Sequence, residues 1–168
     1  MKMFQFFHYW IKSYPRIKNY YKKDGLSDDF IETLAFDEEQ NLWIGTKSGG
    51  LNVLKQDKFT VYTVKDGLTE NAITKLCFDA NGILWIGTNG GGITLMKDGK
   101  FHSLTTKEGL SSDLIATLFE DREGNIWAGS SGAGIDRIKM KLIQTISIRE
   151  GLPGDAILPI FEDHAGVL

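Results

Sequence analysis

The stretch CFDANGILWIGTNGGGITLMKDGKF, residues 77–101, decides the fold of this chain. It contains an Asp-x-x-Gly turn, a strand built around a tryptophan, a glycine-rich turn and a second apolar strand. The same pattern occurs once before and once after it, so that Trp43, Trp85 and Trp127 stand 42 residues apart. A repeat of about 40–45 residues is typical of β-propellers and related arrays. The period therefore predicts a tandem array of one small sheet.

Each repeat unit predicts a blade of four antiparallel strands, A to D, with A innermost and D outermost. The predicted fold is all-β, a partial, open β-propeller of about three and a half four-stranded antiparallel blades. The blades are expected at approximately residues 30–62, 72–104 and 114–146, with a partial blade at 156–168. One further strand D is expected at Ile17–Tyr20, at the start of the repeat segment 16–168. Residues 1–15 match no part of the repeat and are expected to form an irregular N-terminal arm.

The residues between the strands have interpretable roles. Aspartate at the first and glycine at the fourth position of the A–B turn favour a type I turn, and Gln40 in place of glycine predicts a looser first turn. The tryptophans are expected between blades. The glycines two residues after them, Gly45, Gly87 and Gly129, are expected to leave room for a neighbouring sheet or a bulge. A Gly-Leu pair also recurs every 42 residues, at Gly25-Leu26, Gly67-Leu68, Gly109-Leu110 and Gly151-Leu152. Its leucine is expected to fill the gap between neighbouring blades.

Three and a half blades are too few to close, because closed propellers have about 4–8. A terminal blade would then expose its apolar face, which marks an interaction surface or an aggregation hazard. Three interpretations remain open: a fragment of a longer protein, a ring completed by several chains, or capped end blades. The sequence stops one residue before the next expected tryptophan, and this register favours the fragment.

Composition excludes several classes of function. The 168 residues carry a formal charge of −3, with scattered lysines and arginines, so no nucleic-acid footprint is predicted. Cys77 is the only cysteine, which rules out an internal disulfide and a Cys-Cys metal pair, and it is expected to be a buried apolar residue. No cofactor is predicted. The N-terminal stretch lacks the features of a secretory leader, and no run reaches the ~18 apolar residues of a membrane span.

The units GLTENAITKLCFDANGILWIGTNGGGI and GLSSDLIATLFEDREGNIWAGSSGAGI resemble the two-component regulator propeller repeat. The resemblance extends over residues 16–168. It implies a periplasmic sensor region of a bacterial hybrid two-component regulator. In that family, tandem propellers sense carbohydrate fragments or related signals and pass a conformational change across the membrane to a histidine kinase. No kinase, receiver or membrane helix is recognisable in this sequence.

Propeller ligands usually lie near the central channel, where the D–A and B–C loops converge. Polar side chains that can hydrogen-bond sugar hydroxyls recur in both loops, whereas the aromatic residues that stack on sugars are missing from them. The ligand-binding candidates are Asp29, Asn71, Asp113 and Asp155 in the D–A loops and Lys47, Asn89 and Ser131 in the B–C loops. The alternative for the D–A residues is that they only cap their own loop, which makes the variable B–C positions the better candidates for specificity.

Two other classes of function remain for comparison. The repeat also resembles, distantly, the streptogramin lyase propellers, which use histidines and an acidic residue around a metal. His8, His102 and His164 share no register, and no Ser-His-Asp or paired-carboxylate arrangement occurs, so no catalytic and no metal-binding residues are predicted. A scaffold that binds another chain, or a second copy of itself, through an exposed blade edge is the third interpretation.

Overall fold

A computed structural model describes residues 17–140 of the chain. These residues form three antiparallel sheets of four, four and three strands. Sheet 1 contains β1 (Ile31–Phe36), β2 (Leu42–Thr46), β3 (Leu51–Lys55) and β4 (Lys58–Tyr62); sheet 2 contains β5 (Ile73–Phe78), β6 (Leu84–Thr88), β7 (Ile93–Lys97) and β8 (Lys100–Leu104); sheet 3 contains β9 (Ile115–Glu120), β10 (Ile126–Ser130) and β11 (Ile135–Ile138). Within the described residues, the only helical element is the 3-10 turn Lys22–Asp24. The all-β, open-propeller prediction is confirmed.

Strands are hydrogen-bonded in chain order within every sheet, as in a meander. The predicted N-terminal arm lies outside the described residues, as do the outer strand of the third blade and the partial fourth blade. The predicted strand at Ile17–Tyr20 is wrong, because these residues are assigned to no strand. An outer strand needs the third strand of its own sheet as a hydrogen-bonding partner, and residues 17–140 contain no such sheet before sheet 1. Tyr20 instead packs edge-on against Phe59, with ring centroids 5.6 Å apart.

Two apolar clusters hold the sheets together. One joins sheets 1 and 2, and the other joins sheets 2 and 3. The first contains Leu51, Leu68, Ile73, Leu76, Leu84, Ile86 and Met96, and the second contains Trp85, Ile93, Leu110, Ile115, Leu118, Ile126 and Ala128. Leu68 and Leu110 are the leucines of the Gly-Leu pairs, so their predicted place between sheets is confirmed.

The glycine two residues after Trp43, like the one two residues after Trp85, permits close packing, as predicted. A Cβ atom on Gly45 would lie 2.5 Å from Cγ2 of Ile73 in the next sheet, and one on Gly87 would lie 2.8 Å from Cγ2 of Ile115. Such distances are well inside van der Waals contact. A β-bulge in β1, between Ile31 and Thr33, occurs opposite the same glycine position. The small residue therefore sets how near one sheet can approach the next.

The aspartate of each A–B turn has two structural roles. In the second turn, Oδ1 of Asp79 accepts the backbone N–H groups of Asn81 and Ile83, each at 2.9 Å. Its Oδ2 accepts the indole N–H of Trp85, also at 2.9 Å. Equivalent indole hydrogen bonds join Trp43 to Asp37 and Trp127 to Asp121. The turn and the tryptophan strand are thereby locked together, a contact that turn preference alone did not predict.

Gln40 does not loosen the first turn, contrary to the prediction. Its N–H donates to the Asp37 carbonyl at 3.0 Å, as the glycines at the same position do in the other two turns. Gln40 reaches this geometry with a φ of 64°, whereas Gly82 has 72°. A residue with a side chain adopts the left-handed region at a conformational cost. The first turn thus keeps the shape of the others and carries local strain.

Candidate functional site

The D–A and B–C loops of each sheet lie against each other, as the sequence predicts for propeller loops. The first residue of each B–C turn donates its backbone N–H to the carbonyl that precedes strand A. These hydrogen bonds join Lys47 to Phe30 at 3.0 Å, Asn89 to Ala72 at 2.9 Å and Ser131 to Leu114 at 3.0 Å. Each sheet therefore brings one of its B–C candidates to the end of its D–A loop.

Neighbouring sheets also connect through these loops. The N–H of Gly50, in the B–C turn of sheet 1, donates to the Asn71 carbonyl of the following D–A loop at 3.1 Å. The N–H of Gly92 donates to the Asp113 carbonyl in the same way at 2.9 Å. The loops of the three sheets consequently form one continuous surface, which we call the loop surface.

The candidate side chains of the D–A loops are engaged by their own loops. Oδ1 of Asp29 accepts the N–H of Lys22 at 2.9 Å. In the same way, the side chain of Asn71 accepts the N–H of Val64, and that of Asp113 accepts the N–H of Thr106. This is the capping geometry that the alternative interpretation predicts. Asp155 lies outside the described residues.

The B–C candidates are better placed to meet a ligand. Lys47, Asn89 and Ser131 are exposed, and their side chains make no hydrogen bond within residues 17–140. The exposed ring of Phe30 lies beside Lys47, whose Nζ is 5.6 Å from the ring centroid. Phe30 was predicted to begin strand A, but β1 starts at Ile31, and Phe30 is therefore an aromatic residue of the loop. The three B–C candidates and Phe30 thus offer one cation, one amide, one hydroxyl and one ring.

A polar pair that repeats in all three sheets was also missed. The residue after each Gly-Leu pair is hydrogen-bonded to a side chain of strand C. The pairs are Ser27 with Asn52, Thr69 with Thr94 and Ser111 with Asp136. Their constant spacing of 25 residues is visible in the sequence, but nothing in one sequence marks it as a contact. These pairs hold the D–A loop to the sheet and so position the loop surface.

Asp28 holds the first B–C turn in place. Its Oδ2 accepts the hydroxyl of Ser48 at 2.6 Å and the Ser48 N–H at 3.1 Å. The hydroxyl bond, followed by the N–H of Phe30, lowers the pKa of this carboxyl. The counterparts of Ser48 in the next two units are Gly90 and Gly132, which have no hydroxyl, so this bridge occurs in the first unit only among the described residues.

A second concavity lies at the other end of the strands, between sheets 1 and 2. It has a volume of about 540 Å³ and is bounded by the A–B turns and the C–D turn. Its lining comprises Phe36, Asp37, Glu38, Glu39, Trp43, Tyr62, Phe78, Asp79, Asn81, Gly82, Leu84, Met96, Lys97, Asp98 and Gly99. We call it the inter-sheet groove. None of the ligand-binding candidates predicted from the sequence lines this groove.

In the corresponding gap between sheets 2 and 3, a side chain of sheet 3 bridges the two sheets. Glu120 accepts the backbone N–H of Ala80 at 3.0 and 3.1 Å, which ties β9 to the second A–B turn. Trp85 is completely buried behind it. The residue of sheet 2 that corresponds to Glu120 is Phe78, which has no acceptor to offer. The first gap therefore stays open, and Trp43 is partly exposed in it.

Other reactive side chains do not gather into a site. Within residues 17–140, no three His, Cys, Asp or Glu side chains are grouped as metal ligands. His102 is exposed in β8, and His8 and His164 lie outside the described residues. Cys77 is half-buried beside the second cluster, and burial raises the pKa of its thiol.

Comparison with known families agrees with this geometry. The family model for the two component regulator propeller matches three segments, residues 25–48, 67–90 and 109–132. Each segment runs from a Gly-Leu pair through strands A and B into the B–C turn. The chain carries two-component regulator propeller repeats. No curated protein matches it significantly.

Solved structures with similar folds include extracellular domains of regulators. The extracellular domain of the putative hybrid two component system BT3049 from B. thetaiotaomicron matches with a TM-score of 0.64 and 23% identity over 92% of this chain and 22% of that one. The extracellular domain of the putative hybrid two component system BT4673, from the same organism, matches with a TM-score of 0.58 and 29% identity. This match covers 70% of this chain and 19% of that one. Virginiamycin B lyase from Staphylococcus aureus matches with a TM-score of 0.46 and 16% identity. That match covers 66% of this chain and 41% of the lyase.

The regulator propeller repeats of this chain span about a fifth of the length of the two B. thetaiotaomicron domains. Among residues 17–140, no helix has the length and hydropathy needed to cross a bilayer. The chain thus corresponds to one portion of the larger extracellular domains of those proteins.

Proposed function

We propose that this chain is a non-catalytic, ligand-binding sensory segment of a bacterial hybrid two-component regulator, exposed to the periplasm and acting as part of a longer receptor. The observation that carries the proposal is the three-fold match to the regulator propeller repeat, which coincides with the three sheets. The 29% identity to an extracellular domain of a hybrid two component system supports it. In such a receptor, the signal would alter the phosphorelay through parts that lie outside these repeats.

The ligand in this proposal is a small polar molecule such as an oligosaccharide, and it binds on the loop surface. Lys47, Asn89 and Ser131 supply exposed donors and acceptors, and Phe30 supplies a ring on which a sugar can stack. Asp29, Asn71 and Asp113 contribute by shaping the loops, since their Oδ1 atoms are occupied by backbone N–H groups. Asp155, the equivalent residue of the fourth unit, has the same role in this proposal.

Isothermal titration calorimetry with a panel of oligosaccharides tests this proposal. A triple variant, Lys47→Ala with Asn89→Ala and Ser131→Ala, should lose at least tenfold in affinity for any sugar that binds, because each change removes an exposed polar group from the surface. Glu32→Gln, an exposed change on β1, is the matched control and should bind as the parent does. A panel without a binder, or a triple variant that binds normally, would refute the proposal.

A second candidate function is supported by the end sheets. Leu34 and Phe36 in β1 are 58% and 60% exposed, and Phe119 and Ile135 in sheet 3 are 63% and 65% exposed. Apolar faces of this kind mark surfaces that pack against further blades or another chain. A scaffold function predicts a mass that rises with concentration in light scattering and no response to small ligands. A concentration-independent monomer would exclude it.

A further inference from the structure

The inter-sheet groove combines an aromatic floor with an acidic rim. The rings of Trp43 and Tyr62 are nearly parallel, at 14° with centroids 6.2 Å apart, and Phe78 meets Trp43 edge-on at the same separation. Five carboxylates line the groove, with Lys97 as the single basic residue. Nζ of Lys97 donates to the Asn81 carbonyl at 3.1 Å, so this charge lies over the second turn.

The carboxylates of the rim differ in how far they are already engaged. Asp37 and Asp79 accept indole N–H groups, and Glu39 forms an ion pair with Lys55 at 2.9 Å. Glu38 and Asp98 make no side-chain hydrogen bond or ion pair within residues 17–140, and Glu38 is exposed. Two negative charges at the groove are therefore available to a ligand.

The floor restricts the ligand in a second way. The indole N–H of Trp43 already donates a hydrogen bond to Asp37. The ring can therefore contact a ligand only through its π system and its apolar edge. The π face of an aromatic ring attracts cations and stacks on flat apolar groups. An anionic ligand would meet the carboxylates and would be repelled.

We propose that the inter-sheet groove binds a small organic ammonium ion that carries an apolar group. The ammonium group lies between Glu38 and Asp98, and the apolar group packs on the ring of Trp43. The volume of about 540 Å³ is within the range of roughly 300–1,000 Å³ that small-molecule sites have. This site lies at the opposite end of the strands from the loop surface, so it is additional to the proposed sensory site and stands independently of it.

Three probes of similar shape and different charge test the proposal: phenethylamine, phenethyl alcohol and 3-phenylpropionate. Binding is followed by the ¹⁵N–¹H indole resonances, assigned by Trp→Phe substitution. Phenethylamine should shift the resonance of Trp43 and leave that of Trp127 in place, because the acceptor of the Trp127 indole, Asp121, does not line the groove. The alcohol should bind roughly tenfold more weakly, because it lacks the charge, and the propionate should not bind. The proposal would be overturned if phenethyl alcohol bound as tightly as phenethylamine. It would also be overturned if 3-phenylpropionate shifted the Trp43 resonance, or if an oligosaccharide shifted it and phenethylamine did not.

Two sets of variants locate the site. Glu38→Gln with Asp98→Asn should abolish the preference for the amine over the alcohol, while Glu32→Gln should keep it. Tyr62→Leu and Phe78→Glu introduce the residues that the closed gap between sheets 2 and 3 uses at the same positions, Leu104 and Glu120. These two changes together should close the groove and abolish binding with a cooperative unfolding transition retained. A closed-groove variant that still binds phenethylamine at Trp43 would contradict the assignment.

Discussion

Trp43, Trp85 and Trp127 occupy the same position in the three repeats but differ in how deeply they are buried. Replacing each of them by alanine therefore measures how much burial at this position contributes to stability. Trp43, Trp85 and Trp127 all donate their indole N–H to the turn aspartate. They differ in surroundings, because Trp85 is completely buried between sheets 2 and 3 whereas the other two are partly exposed. Trp127 belongs to the last described sheet, where Arg137 lies 6.0 Å from its ring. The same substitution should therefore change the free energy of unfolding by a different amount at each of the three positions.

The magnitude follows from the buried surface. A buried indole removes about 150–250 Å² from water, which at about 25 cal/mol per Å² sets an upper limit of roughly 4–6 kcal/mol. Trp85→Ala also leaves Oδ2 of the buried Asp79 without its donor. We expect Trp85→Ala to lower the free energy of unfolding by about 3–5 kcal/mol, Trp43→Ala by less, and Trp127→Ala by about 2 kcal/mol or less.

Urea denaturation followed by far-UV circular dichroism measures these losses without depending on tryptophan emission. The free energy of unfolding comes from the midpoint and the slope, which is typically about 1–3 kcal/mol per molar for small proteins. A loss below about 1 kcal/mol for Trp85→Ala would show that this indole is not a core residue. Equal losses at Trp85 and Trp127 would refute the packing of sheet 2 on sheet 3.

Three further predictions concern the turns and the packing of the sheets. Gln40→Gly should raise the free energy of unfolding by up to about 1 kcal/mol because it relieves a left-handed residue, and Gly82→Gln should lower it by a similar amount in the equivalent turn, as measured by urea midpoints. Gly45→Ala should cost about 1–3 kcal/mol in the same assay, because its new methyl group would lie 2.5 Å from Ile73. Below about pH 4, stability should fall as Asp121 is protonated, which urea midpoints measured between pH 2 and 7 will show.

The controls for these predictions are equally specific. Stability should fall at low pH because hydrogen bonds from Asn125, and then from Trp127, lower the pKa of the Asp121 carboxyl in the folded state. The stability that they add is present above the unfolded pKa and is lost as the pH falls through the folded one, so Asp121→Asn should flatten this part of the profile. A stabilising Gly45→Ala would contradict the close approach of sheets 1 and 2. A Gln40→Gly that destabilises as much as Gly82→Gln would contradict the strain assigned to the first turn.

The repeat made much of the architecture predictable from one sequence. A fixed period of 42 residues ties every local pattern to three copies, so the turn aspartates, the inter-sheet glycines and the Gly-Leu leucines could each be assigned by comparison within the chain. The strand at Ile17–Tyr20 was the failure of that method. The pattern there is apolar as in the other outer strands, but a strand also needs a hydrogen-bonding neighbour, which the pattern cannot supply.

The candidate sites were less predictable. The sequence alone determined which loops recur and which side chains vary in them, since both are properties of the register. Only the tertiary structure decided that Asp29, Asn71 and Asp113 cap their own loops and that Phe30 lies beside Lys47. It also decided that the gap between sheets 1 and 2 is open while the next one is closed. The physical reason is that the register identifies equivalent positions, whereas a groove depends on whether one side chain, Glu120 or Phe78, can reach an amide of the neighbouring sheet.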